Sequence, residues 1–151
     1  MKKPIVAIIY DFDKTLCTKD MQEYAFIPTL GMSSSAFWGE ANALTDTEEM
    51  DNILAYMYKM VQEARGRIVF TKKALADYGA KVELFPGVEE WFERIREYGK
   101  NHGVIVEHYI ISSGLKEMIE GTSIAKAGAF EKIYASSFLF DDRDVAVWPS
   151  Q

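Results

Sequence analysis

Apolar and polar positions fall into two regimes along the chain. Residues 5–10 form an unbroken apolar run, Ile5-Val6-Ala7-Ile8-Ile9-Tyr10, stopped by Asp11. A short run of this kind, bounded by turn-type residues, predicts a buried strand of a parallel sheet. After Leu16 the period becomes helical. Asp20 predicts the cap of a helix through Met21, Tyr24, Ala25 and Phe26. Gly31-Met32-Ser33-Ser34-Ser35 is a break, and a second helix is expected over 36–43. The acidic run Thr45-Asp46-Thr47-Glu48-Glu49 reads as the start of a third helix over 50–64, where Met50, Ile53, Leu54, Met57, Val61 and Ala64 recur at helical spacing. Gly66 ends it. Thr71 opens a short helix over 72–78, stopped by Gly79. Residues 17–84 therefore read as an all-helical insertion behind the first strand. Its Met and Tyr residues fit irregular core packing.

Phe85-Pro86-Gly87-Val88 marks a boundary. An amphipathic helix over 88–100 follows, with Val88, Trp91, Phe92 and Ile95 as its apolar stripe. A second buried strand is expected over 104–111, with His108 inside it in a structural role. It ends in Ile111-Ser112-Ser113-Gly114-Leu115 ahead of another helix, and a third strand is expected over 133–140. Beyond it, Asp141-Asp142-Arg143-Asp144 reads as an acidic turn joining 138–140 to 145–148 as a β-hairpin. The fold class is α/β: a Rossmann-like parallel sheet core over 1–16 and 85–151, with the helical insertion at 17–84.

Composition narrows the classes. The chain has 151 residues, enough for one core with a small insertion, and 48% of them are hydrophobic with 26% charged, as in an ordered globular protein. Net charge is −6, and neither a basic patch nor a basic helix appears, so no nucleic-acid or anionic-membrane partner is expected. No apolar run approaches the ~20 residues that span a bilayer. The N-terminus lacks a secretory pattern, and one cysteine, Cys17, cannot form an internal disulfide, so the expected location is cytoplasmic. Nothing adjacent activates Cys17, which reads as a plain thiol.

The chemistry sits where the first strand ends. Asp11 and Asp13 are two acids one residue apart, at the strand end where open α/β sheets place their ligands. They repel and lose solvation unless a cation neutralises them, which points to Mg²⁺, a cation suited to carboxylates, water and substrate phosphate. The Ser112-Ser113-Gly114 junction offers hydroxyls and N–H groups to an anion.

Together, the apolar strand and Asp11-Phe12-Asp13-Lys14-Thr15-Leu16 resemble the first motif, D-x-D-x-T, of the haloacid dehalogenase-like superfamily, and more narrowly of its phosphatases. The resemblance implies that Asp11 is a nucleophile forming an aspartyl-phosphate. It implies that Asp13 is the acid that protonates the leaving oxygen and then the base that activates water. Both would hold Mg²⁺, Asp13 through its carbonyl. Thr15 would support the motif loop at the phosphate site. Asp13 and Thr15 favour phosphate ester hydrolysis over C–halogen cleavage. The strand ending in Ile-Ser-Ser-Gly resembles the second motif in its phosphoserine-phosphatase-like form, with Ser112 binding the phosphoryl group and Ser113 and Gly114 assisting. The helical insertion matches the place of the family's cap, which selects substrate.

The family pattern also needs a Lys and a later acidic pair. Asp141 and Asp142, with Lys126 or Lys132, are one reading of these parts. The favoured reading is the acidic hairpin turn, because the run lies too close to the second motif for an intervening strand, helix and strand. On that reading the core is incomplete, with an open edge beside the first strand that favours self-association, weak Mg²⁺ binding and a reduced rate. The expected function is Mg²⁺-dependent hydrolysis of a small phosphorylated metabolite through an aspartyl-phosphate. The rival is an inactive protein of the same fold that keeps only phosphate or metal binding or an interaction role. A response-regulator receiver also joins acidic metal sites to aspartyl-phosphate, but the long insertion counts against it.

Overall fold

A computed structural model describes residues 2–150. Strand β1 (Ile5–Tyr10) pairs in parallel with β2 (Ile105–Leu115), and β2 pairs in parallel with β3 (Lys132–Ser136). The sheet order β1-β2-β3 leaves β1 with a neighbour on one side only. Ile5 faces Ile105 and Tyr10 faces Ile110, so both strands point their carboxyl ends the same way. That end carries Asp11 on one strand and Ser112 on the next.

The two sheet faces differ. Val106, His108 and Ile110 are buried on the face covered by α5 (Val88–Asn101), whose Phe92 packs edge-on against His108. On the other face Ile5, Ile9 and Ile111 are 60%, 58% and 56% exposed, with Ile105 and Tyr134 beside them. A parallel sheet is ordinarily covered on both faces. Among the described residues β1 has one free edge, and this sheet face carries exposed apolar side chains.

His108 is fully buried and satisfied. Trp91 Nε1 donates to the Tyr10 hydroxyl at 2.8 Å, which lies 2.9 Å from His108 Nδ1, and His108 Nε2 lies 3.0 Å from the Phe92 carbonyl. Burial pushes its pKa down, and the ring serves as a structural link, as expected.

Between β1 and α5 lie a 3₁₀ turn (Met21–Glu23), α1 (Phe26–Thr29), α2 (Ser34–Glu48), α3 (Asn52–Ala64) and α4 (Lys72–Gly79). The entry and exit of this insertion lie side by side: Phe85 N–H donates to the Leu16 carbonyl and Thr18 N–H to the Glu83 carbonyl. Three helix boundaries differ from expectation. Asp20 leads only a 3₁₀ turn, its N–H held by Glu23 Oε2 at 3.1 Å, and the α-helix waits until Phe26. The acidic run at 45–49 does not open α3. It is the end of α2, closed at Glu49 in the left-handed conformation (φ 53°), and the true cap is Asp51, whose carboxylate accepts from Ile53 and Leu54 N–H. Ser33 caps α2 through Ala36 N–H, and Thr71 caps α4 through Ala74 N–H as expected.

The insertion shares one apolar core with the rest of the described chain. Phe26 and Phe138 both pack on Phe70. Helix α4 lies directly on α6 (Lys116–Glu120): a Cβ at Gly79 would strike the Met118 carbonyl, and one at Gly121 would strike the Ala76 carbonyl. Helix α7 (Ser123–Lys126) leads to β3. The expected third strand is two. Ser137 separates β3 from β4 (Phe138–Phe140), which pairs antiparallel with β5 (Ala146–Pro149) as the anticipated hairpin. Tyr58 of α3 packs edge-on against Trp148 of β5.

Candidate functional site

The loop behind β1 folds around one carbonyl. Thr15 and Leu16 N–H both donate to the Phe12 oxygen, and Phe12 itself is fully buried. This wrap anchors the loop over the buried Phe12 and leaves Asp11 exposed and Asp13 partly enclosed. Closing it puts Lys14 in the left-handed conformation (φ 61°), an uncommon and strained setting for a residue with a Cβ. Lys14 Nζ pairs with Asp20 Oδ2 at 2.9 Å.

Asp11 is exposed at the strand end, and Thr15 Oγ1 donates to its Oδ2 at a long 3.4 Å. Thr15 thus touches the motif's first carboxylate. Asp13 is more enclosed. Its Oδ1 accepts from Met21 N–H at 2.9 Å. Burial pushes its carboxyl up to about 7, the Met21 N–H opposes the rise, and the charges of Asp20 and Asp11 add to it. The two acids therefore sense each other, and their carboxylates and carbonyls form an all-oxygen donor set of the type Mg²⁺ takes. Among the described residues no third His, Cys, Asp or Glu joins them.

The second motif is shaped differently from expectation. Strand β2 continues through Ser112-Ser113-Gly114 to Leu115, and α6 begins only at Lys116 without a side-chain cap. Gly114 N–H donates to Ser112 Oγ at 2.9 Å, so that N–H is engaged while the Ser112 hydroxyl keeps its own proton to give. A Cβ at Gly114 would meet the end of the Met21 side chain, which would have to shift. The Ser113 carbonyl accepts from the Tyr56 hydroxyl at 2.5 Å. Burial pushes the Tyr56 phenol up, with the Asp13 charge adding, so it stays a donor.

Asp13, Ser113 and Gly114 meet Asp20, Gln22, Trp38 and Tyr56 of the insertion around one cavity of about 250 Å³. Asp11, Thr15 and Ser112 lie outside its lining. Tyr56, Gln22 and Trp38 were not singled out by sequence. Periodicity assigns Tyr56 to a helix face but does not say that the face meets the end of β2.

Asp141 and Asp142 sit in the hairpin turn. Asp141 Oδ1 accepts from Arg143 and Val145 N–H, and the turn bonds to α4 through Lys72 N–H and the Asp144 carbonyl. The Asp141 carboxylate serves the turn. Lys126 and Lys132 are exposed, and Lys132 lies over the Tyr134 ring. Cys17 is buried, its thiol pushed up to about 11 by burial, in keeping with an inert role. No helix among the described residues is long and apolar enough to cross a membrane.

The haloacid dehalogenase-like hydrolase family model matches residues 8–150. An uncharacterised protein of Borreliella burgdorferi is 30% identical over an alignment of 149 residues that covers 91% of this chain and 51% of that protein. Among solved structures, a phosphoserine phosphohydrolase-like protein from Francisella tularensis is 24% identical with a TM-score of 0.61, over 99% of this chain and 65% of that one. A phosphoserine phosphatase captured as a phospho-aspartyl intermediate analogue is 16% identical with a TM-score of 0.64, over 98% and 64%. A hydrolase of Salmonella enterica serovar Typhi gives 18% and 0.64, over 98% and 46%. The chain thus spans about half to two thirds of the length of these proteins.

Proposed function

The chain belongs to the haloacid dehalogenase-like hydrolase family, and from that premise we propose that it acts on small phosphate monoesters as a phosphohydrolase. The observation that carries the reading is the joint placement of Asp11-x-Asp13 and Ser112 at the carboxyl ends of neighbouring parallel strands. An Asp11 carboxylate oxygen attacks phosphorus, and the bond from phosphorus to the alcohol oxygen breaks. Asp13 gives that oxygen its proton. Water then attacks the aspartyl-phosphate, surrendering a proton to Asp13, and inorganic phosphate leaves. The Ser112 hydroxyl donates to a phosphoryl oxygen, and Thr15 steadies the Asp11 carboxylate. Asp11 and the Asp13 carbonyl would hold Mg²⁺, which when bound neutralises phosphoryl charge. The helical insertion is read as the cap. A cytoplasmic location belongs to the same reading, supported by the single buried thiol. The open β1 edge and bare sheet face support self-association.

One observation favours a second reading. The described residues form no group of three His, Cys, Asp or Glu that could hold a metal ion, and Lys126 and Lys132 are exposed. An inactive family member that keeps phosphate binding fits this shortfall. Hydrolysis of an aryl phosphate with and without Mg²⁺, alongside Asp11→Asn, separates the two. Mg²⁺-dependent turnover lost in Asp11→Asn supports the enzyme, and a folded protein without turnover supports the second reading.

A further inference from the structure

The cavity above Asp13 has an uneven chemistry. Its polar lining is two carboxylates, Asp13 and Asp20, three amides, Gln22, Asn42 and Asn52, and Ser113, with the Trp38 and Tyr56 rings as walls. Among the described residues no Lys or Arg lines it. Lys14, which reaches the lining residue Asp20, is already held by it at 2.9 Å. Gln22 is only 2% exposed, yet its Oε1 has no hydrogen-bond partner, and neither has Trp38 Nε1. Buried polar atoms left unpaired carry a desolvation cost that a bound group can relieve.

Such a cavity discriminates by charge. A carboxylate in it would find no Lys or Arg in the lining, Lys14 being already paired with Asp20, whereas a hydroxyl or ammonium would find the Gln22 oxygen and the amide oxygens as acceptors. Resting on the phosphohydrolase reading above, we infer that the leaving alcohol carries hydrogen-bond donors and no anionic group, as an amino alcohol or a polyol does. The alcohol portion occupies the cavity, with a donor on Gln22 Oε1 and an oxygen on Trp38 Nε1. Phosphoserine, the substrate that the name of the phosphoserine phosphatase sharing this fold carries, falls outside this class because its leaving group bears a carboxylate.

Calorimetric binding of ethanolamine phosphate, glycerol phosphate, phosphoserine and inorganic phosphate tests this without relying on turnover. Ethanolamine phosphate and glycerol phosphate are expected to bind about tenfold tighter than phosphoserine. Asn42→Lys, on the exposed face of α2, supplies a cation at the cavity and is expected to close that gap by raising phosphoserine affinity. Gln22→Leu is expected to weaken the two preferred esters toward the affinity of inorganic phosphate. Equal or tighter binding of phosphoserine by the unaltered chain overturns the inference. So does binding of every ester no better than inorganic phosphate. If aryl phosphate is hydrolysed in parallel, only the inference falls. If inorganic phosphate also fails to bind, the phosphohydrolase reading falls with it.

Discussion

The Tyr56 hydroxyl donates to the Ser113 carbonyl at 2.5 Å, tying helix α3 to the carboxyl end of β2. This bond joins the insertion to the strand that presents Ser112. Tyr56 is buried, so Tyr56→Phe leaves a carbonyl short of its partner and costs about 1–2 kcal/mol. Urea denaturation should show the lower midpoint with an unchanged slope.

The crossing of α4 and α6 makes a sharper demand. Gly79 and Gly121 each abut a carbonyl of the opposite helix, so a methyl must push backbone against backbone. Gly79→Ala or Gly121→Ala is expected to cost roughly 2–4 kcal/mol. Gly39, inside α2 with open space around it, is the control: Gly39→Ala should stabilise by roughly 0.5–1 kcal/mol. Thermal denaturation of the three variants reads the contrast directly.

His108 gives stability a pH dependence. Its pKa is lowered in the fold by burial, so the unfolded chain takes up the proton first. Its contribution is fully present above the ordinary histidine value of 6.5 and is lost as pH falls below it toward the lowered folded value. Denaturant titrations across that window should show stability declining toward acid, with a shallower decline in His108→Gln. An identical slope in the variant would assign the decline to other groups.

Much of this architecture is legible in the residues. The apolar run ending at Asp11 specifies a strand because every position in it is β-branched, aromatic or Ala. The hairpin is legible because turn-forming acids separate two apolar runs, and Asp144 takes the left-handed conformation there (φ 59°). The extent of α2 is not legible: only Phe37 and Ala41 are buried on it, so its period is faint, and an acidic run at its end mimics a helix start. The break at Ser137 lies inside an apolar stretch whose composition does not mark it. The cavity residues Gln22 and Trp38 are hidden for a different reason. Periodicity tells which side of a helix is apolar, but only the tertiary fold sets that side over Asp13.

The bare sheet face predicts association. Ile5, Ile9 and Ile111 form exposed apolar surface beside an open strand edge. Sedimentation velocity at rising concentration should show a growing average size, and Ile9→Lys with Ile111→Lys should suppress it. A concentration-independent monomer would remove self-association from the account.

The central claim is that Asp11 takes the phosphoryl group. Intact-protein mass spectrometry of acid-quenched mixtures, taken within a single turnover of an aryl phosphate with Mg²⁺, tests it most directly. One phosphoryl adduct is expected, mapped to Asp11 and absent from Asp11→Asn. An adduct on another residue, or none in a folded protein that turns the ester over, would contradict it.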